Sequence, residues 1–301
     1  MGPYLMSFQI RDLEAFSGVK AHTIRIWEKR YGLLQPDRTD TNIRHYGLSE
    51  LRSILNVAYL NQRGYKISKI AALSVAEREN LVREVAVQKG GSEEVLNMLK
   101  LAMLGFDEAL FLSESAKHSA QHGFRSLVEE VYTPLLDHIG LLWQTSSICP
   151  AQEHFVSNII RQQVIVATSA LPSKAPASGP LHVLYLPENE IHELGLLYLN
   201  YILRFHHKRT VYLGQSVPSD DLRQLPALYP NEIVFVTLLT TQPPPSEIHP
   251  FLIALRQSMP EKRITFWLAG AHLLLVAPKD TPSGMRLCTS LRELISALGK
   301  D

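Results

Sequence analysis

Leu181-His182-Val183-Leu184-Tyr185-Leu186, followed by Glu190-Ile191-His192-Glu193-Leu194-Gly195, reads as a buried strand that runs out into a polar loop. Residues 196–205 then take up the apolar spacing of a helix. Strand, loop and helix in that order form the repeating unit of open α/β sheets. A side chain on the loop reaches the carboxyl edge, where such sheets bind ligands. Three more continuous apolar runs, residues 210–213, 233–239 and 264–269, suit buried parallel strands, with room between them for crossover helices. Residues 286–288 offer a fifth strand before a last helix over 290–298. Residues 181–301 therefore predict a doubly wound, flavodoxin-like parallel sheet.

Upstream, Leu171-Pro172-Ser173-Lys174-Ala175-Pro176-Ala177-Ser178-Gly179-Pro180 has linker composition, which sets a domain boundary at 172–180. Residues 81–171 hold almost no strand signal. Helices over 93–104, 107–121, 124–145 and 151–170 predict a four-helix bundle, with breaks at Gly90-Gly91, Gly105 and Gly123. Pro134 falls inside the third helix, where its missing N–H predicts a kink.

Residues 1–80 read as short helices and tight turns. The first two, over 9–16 and 21–31, are joined by Ser17-Gly18-Val19, the layout of a DNA-reading helix-turn-helix. A hairpin follows, with its tip over 37–42 and Ile43-Arg44-His45-Tyr46 returning as a wing. Ser49 is the expected N-cap of a helix that buries Leu51, Ile54, Leu55 and Ala58, and residues 65–72 complete the unit. The whole is multidomain α and α/β: a winged helix-turn-helix, a four-helix bundle and a parallel sheet.

Composition narrows the function classes. The chain has 301 residues, 46% hydrophobic and 20% charged, as in ordinary soluble domains. Its two cysteines, Cys149 and Cys288, lie far apart and show no zinc spacing. No apolar run approaches the ~18 residues needed to cross a bilayer. No nucleophilic triad, Walker loop or hydrolytic metal motif is present, so the expectation is a cytoplasmic protein that is not an enzyme and has no membrane partner. The net charge of +1 conceals an asymmetry: residues 1–80 carry 12 Lys and Arg against 8 Asp and Glu. A basic head suits contact with a polyanion.

Leu13, the Gly18-Val19 turn, His22-Thr23-Ile24-Arg25, Trp27-Glu28, Tyr31-Gly32-Leu33, Arg38, and Arg44 with Tyr46 together resemble the MerR family of transcription regulators. The resemblance covers about 70 residues in order. It implies double-stranded operator DNA as partner, with Thr23, Arg25, Lys29 and Arg30 on the reading helix and Arg38, Arg44 and Tyr46 on the wing. Phosphate contacts of this kind set position and salt dependence, while a few base contacts set sequence preference.

Glu190-x-His192-x-x-Gly195 resembles the signature of cobalamin-binding domains. That resemblance makes His192 an axial ligand to cobalt, Glu190 the acid holding its other ring nitrogen, and Gly195 the point where a helix approaches closely. It extends to Gly214, to Thr237 and Leu239 on the third strand, and to Gly270, which would line the slot for the cofactor's nucleotide tail. Leu238 and Ala269 depart from the family's smaller residues there. In the bundle, Trp143, then nine residues, then Glu153-His154 resembles the arrangement of cobalamin-dependent MerR regulators, a group that includes adenosylcobalamin photoreceptors. The indole would cover the upper corrin face, and Glu153 and His154 would bind the upper ligand, the cofactor lying between bundle and sheet. Light-sensing members often carry histidine after that tryptophan, where this chain has Gln144.

The resemblance thus implies a repressor whose self-association, as dimer or tetramer, and operator binding follow adenosylcobalamin or methylcobalamin. Two other readings are a regulator whose sensor has lost cobalamin and a corrinoid methyl carrier.

Overall fold

A computed structural model describes residues 8–38, 43–89, 92–144, 148–172 and 179–298. The chain divides into two compact units, Met1–Ile159 and Ile160–Asp301. No helix among the described residues is long and apolar enough to cross a membrane.

In the first unit, helix α1 (Ile10–Ser17) stops at Gly18, whose φ of +71° is the left-handed turn that glycine adopts without strain. Helix α2 (Ala21–Tyr31) ends in the same way at Gly32. Strands β1 (Asp37–Arg38) and β2 (Arg44–His45) pair antiparallel as the wing. Helix α3 (Leu48–Gln62) begins one residue before the expected cap. Glu50 replaces Ser49 as the capping group, because its carboxylate accepts the Gly47 N–H at 3.0 Å and the Ser49 hydroxyl at 2.8 Å. Helix α4 (Ile67–Ala72) follows, and Leu13, Phe16, Ile24, Leu51 and Ile54 bury together as the core of this head.

Helix α5 (Val75–Lys89) is an element the sequence reading does not anticipate. Its signal is local: Ser74 and Glu77 form a reciprocal cap, with Ser74 N–H on the Glu77 carboxylate at 2.7 Å and Glu77 N–H on the Ser74 hydroxyl at 3.3 Å. Helices α6 (Ser92–Gly105) and α7 (Glu108–His122) pack side by side. Helix α8 runs through Phe124–Ser126, Leu127–Tyr132 and Thr133–Gln144, and helix α9 spans Pro150–Ser169. The effect of Pro134 takes a specific form. The turn before it, Leu127–Tyr132, widens to a π-helix and Thr133 N–H reaches back to the Val128 carbonyl, which absorbs the interrupted hydrogen-bond ladder.

In the second unit, β3 (Leu181–Pro187), β4 (Arg209–Val217), β5 (Ile233–Leu238), β6 (Ile264–Ala269) and β7 (Met285–Cys288) form one parallel sheet in the order β4-β3-β5-β6-β7. Strand alternation divides its core. Val183, Tyr185, Phe235 and Phe266 face helix α11 (Ile248–Ser258), while Leu184, Leu186 and Val236 face helices α10 (Leu194–Phe205) and α12 (Leu291–Leu298). Strand β4 runs well beyond the predicted 210–213. As an edge strand it continues through polar residues and the positive-φ Gly214 and Ser216, so its length leaves no apolar run to read. The strand order reverses around β3, and the loops after β3 and β5 part there. This is the crevice where open sheets place their ligands.

Candidate functional site

The loop after β3 carries His192, and its geometry is set by Glu190, which is fully buried. Oε1 of Glu190 accepts the backbone N–H groups of Ile191 and His192, both at 3.0 Å, and the ring Nδ1 of His192 at 2.5 Å. Oε2 accepts the N–H groups of Thr240, Thr241 and Gln242 at 3.2, 2.6 and 3.0 Å and the Thr241 hydroxyl at 3.1 Å. Burial alone would raise this carboxyl's pKa. The hydrogen bonds from Thr241, Gln242 and His192 outweigh burial and hold it down at about 2.

The tautomer of His192 follows from that charge. An ionised carboxylate only accepts, so Nδ1 carries the proton and Nε2 presents its lone pair. The side chain is 51% exposed, with Nε2 directed away from its anchor. A histidine fixed through Nδ1 in this way has the orientation that metal-ligating histidines take from an outer partner.

Three glycines lie near this loop or on the neighbouring strand ends. A Cβ at Gly195 would come within 2.7 Å of Leu238 Cδ1, the movable end of that side chain. At Gly270 a Cβ would stand 2.2 Å from the Leu239 carbonyl oxygen, and Gly214 has φ +85°. Thr237, on β5 beside Tyr185, is buried, and its hydroxyl finds no hydrogen-bond partner among the described residues. Leu239 is buried on the same sheet face, whereas Leu238 and Ala269 are buried in the layer facing α10 and α12. An oriented imidazole, an unsatisfied buried hydroxyl and glycines at close approaches together fit a cobalt ligand with a group packed against backbone.

Some of this framework is invisible to motif reading. Glu193 accepts the Tyr212 hydroxyl at 2.8 Å and the Nε of Arg161, which belongs to the same unit, at 3.0 Å, so the residue after His192 is tied both to edge strand β4 and to the part of α9 that lies in the second unit. The donors from Thr240 to Gln242 are backbone groups, which no residue pattern could flag.

In the first unit, Glu153 and His154 lie in the first turn of α9 and bond to each other, Nδ1 to Oε2 at 2.8 Å, with both side chains partly exposed. Trp143 and Gln144 end α8, and their side chains lie outside the described residues. His138 is turned into the interior, 6.3 Å from the Phe16 ring. Burial first, then the charge of Lys100, push its pKa down to about 4.

On the DNA-reading face, Arg25, Lys29 and Arg30 are exposed on α2, and Thr23 is half-buried. Glu28 gathers the wing. It accepts Arg44 Nε at 3.0 and 3.2 Å and the Tyr46 hydroxyl at 3.0 Å, and Arg38 comes within 4.0 Å. Tyr46 therefore corrects the sequence reading: it is fully buried with its hydroxyl committed, so it braces the wing and does not reach a phosphate. Burial and the adjacent Glu28 both push its pKa up.

Comparison with known proteins gives this geometry its setting. Residues 8–75 match the profile of MerR HTH family regulatory proteins, and residues 95–167 match that of a B12 binding domain. The chain is 31% identical over 274 residues to the HTH-type transcriptional repressor CarH of Myxococcus xanthus, covering 88% of this chain and 89% of that protein. This chain belongs to the MerR family of transcriptional regulators. The regulator is also 30% identical over 231 residues to the HTH-type transcriptional repressor CarA of the same organism, covering 72% of each. Its fold is similar to that of a monomethylamine corrinoid protein of Methanosarcina barkeri, with a TM-score of 0.56 at 16% identity over 70% of this chain and all of the other. The regulator thus joins a MerR DNA-binding head to a B12 binding domain.

Proposed function

We propose that this regulator is a repressor whose hold on its operator is set by cobalamin, with His192 Nε2 as the cobalt ligand. The observation that carries this is the buried Glu190 carboxylate, which fixes Nδ1 of His192 as a donor and leaves Nε2 as the free base. When bound, cobalamin would supply a cobalt centre able to accept the His192 nitrogen and to carry an exchangeable group. The protein's own part is to hold the imidazole, to keep Glu190 charged, and to present glycine backbone where bulk is excluded. Adenosylcobalamin is the proposed form, since Glu153 and His154 offer the acceptor and donor groups that a ribose and an adenine require. Dimeric DNA binding is proposed as well, because a two-fold protein reads a palindromic site. The chain acts in this reading by binding and not by catalysis.

The test mixes purified full-length protein with adenosylcobalamin in the dark and follows retention by gel filtration and the visible spectrum. His192→Ala should retain less corrinoid and lose the spectral signature of imidazole on cobalt. Operator binding by fluorescence anisotropy and mass by sedimentation should both change with cofactor and, for adenosylcobalamin, again after illumination. A chain that retains no corrinoid at saturation refutes the reading.

A further inference from the structure

Arg78 lies in the first turn of α5 and is only 9% exposed. The Ser74–Glu77 cap has already satisfied the start of that helix, so Arg78 is not needed there. A guanidinium carries five N–H donors. Here Nε meets the Ser74 carbonyl at 3.5 Å and Nη1 meets the Ser53 hydroxyl at 3.3 Å, both neutral and both at the long limit of a hydrogen bond. Nη2 has no partner among the described residues. Burial lowers the pKa of Arg78, and Arg78 forms no ion pair with a carboxylate among the described residues. A charge withdrawn from water in this way is ordinarily answered by an anion.

Arg78 lines a cavity of about 560 Å³, walled also by Leu33 just past the end of α2, by Ser53 and the buried Asn56 on α3, and by Val75. That volume falls within the ~300–1,000 Å³ range of small-molecule sites. Two carboxylates also line it. Glu50 is committed to Gly47 and Ser49, Glu79 is half-buried and Arg52 is exposed, so that Arg78 is the buried charge among them.

We propose that this cavity binds a carboxylate or phosphate group seated on Arg78, a second ligand site lying inside the DNA-binding head. The guanidinium fork gives a planar oxyanion two parallel hydrogen bonds, which a lysine could not. Leu33 follows the glycine that ends α2, so the occupant would bear on the helix that reads DNA. The oxyanion could belong to a free small molecule or to the DNA backbone, and the test separates the two.

Full-length protein, labelled with ¹⁵N, is titrated with inorganic phosphate at constant ionic strength, and the backbone amides of Ser53, Asn56 and Val75 are followed. Saturable shifts confined to these positions are expected in the wild type. In Arg78→Met, which keeps the buried stem, they should fall at least tenfold in apparent affinity, and Arg78→Lys serves the same comparison if the methionine variant does not fold. Operator binding is then measured across salt concentrations. A slope reduced by about one in the variant assigns the oxyanion to a DNA phosphate, and an unchanged slope assigns it to a free ligand. Shifts that do not saturate, or that are equal in wild type and variant, overturn the proposal.

Discussion

Replacing Glu190 by glutamine tests the anchor of His192 directly. The carboxylate accepts from seven groups, three on Oε1 and four on Oε2. An amide must turn its NH₂ toward one of those sets, leaving donors facing a donor. A pKa lowered from 4.5 to about 2 corresponds to about 3 kcal/mol of folding stability at ~1.36 kcal/mol per unit. The sign is fixed: a depressed carboxyl contributes fully above its unfolded value near 4.5 and loses its contribution as pH falls toward 2. Glu190→Gln should therefore be less stable than wild type by about 3 kcal/mol at pH 7, and the gap should shrink to about 1 kcal/mol by pH 3. Urea unfolding followed by circular dichroism across that range, for both proteins, measures it. A gap that stays constant from pH 7 to 3 would falsify the charged-anchor account, because a merely steric effect does not titrate.

Gly270→Ala drives a methyl into the Leu239 backbone at 2.2 Å and should cost about 3 kcal/mol, read as a lowered urea midpoint. By contrast, Gly195→Ala meets the movable end of Leu238 and gains helix propensity, so its cost should stay under about 1 kcal/mol in the same assay. Arg25→Ala on the exposed face of α2 should weaken operator binding by ~1–3 kcal/mol and relax preference at one base pair, while Lys29→Ala should weaken all sequences alike and lower the salt slope by about one. Glu28→Gln frees Arg44 and Tyr46 together and should reduce operator affinity without touching a DNA contact, as anisotropy with matched and scrambled duplexes can establish.

How much of this was legible in sequence depends on whether the determining chemistry lies in side chains at fixed spacing. The strands 181–186, 233–239 and 264–269 could be read because a central parallel strand is apolar on both faces. The far half of β4 could not, because an edge strand need not be. His192 and Gly195 were legible as a spacing, and the structure shows the imidazole of His192 held by Glu190. The second half of the Glu190 cradle was hidden, since backbone N–H groups fifty residues away in sequence leave no residue-level trace. Tyr46 was misread because a tyrosine in a basic wing looks like a phosphate contact until Glu28 is seen to claim its hydroxyl. For α5, the Ser74–Glu77 pair was present as a start signal, but the helix lacks a strong apolar stripe that would have called attention to it.

Glu190 also bears on the thermodynamics of any ligand that meets His192. One carboxylate ties the loop after β3 to the loop after β5, so the imidazole's orientation is settled when the sheet folds and not when the ligand arrives. The ordering entropy of that side chain, ~0.5–1.5 kcal/mol for an interface residue, is then already spent before association begins. Among relatives that keep the histidine, affinity for such a ligand should accordingly vary with the integrity of this inter-loop tie, which makes the acid two residues upstream a better guide to binding than the histidine itself.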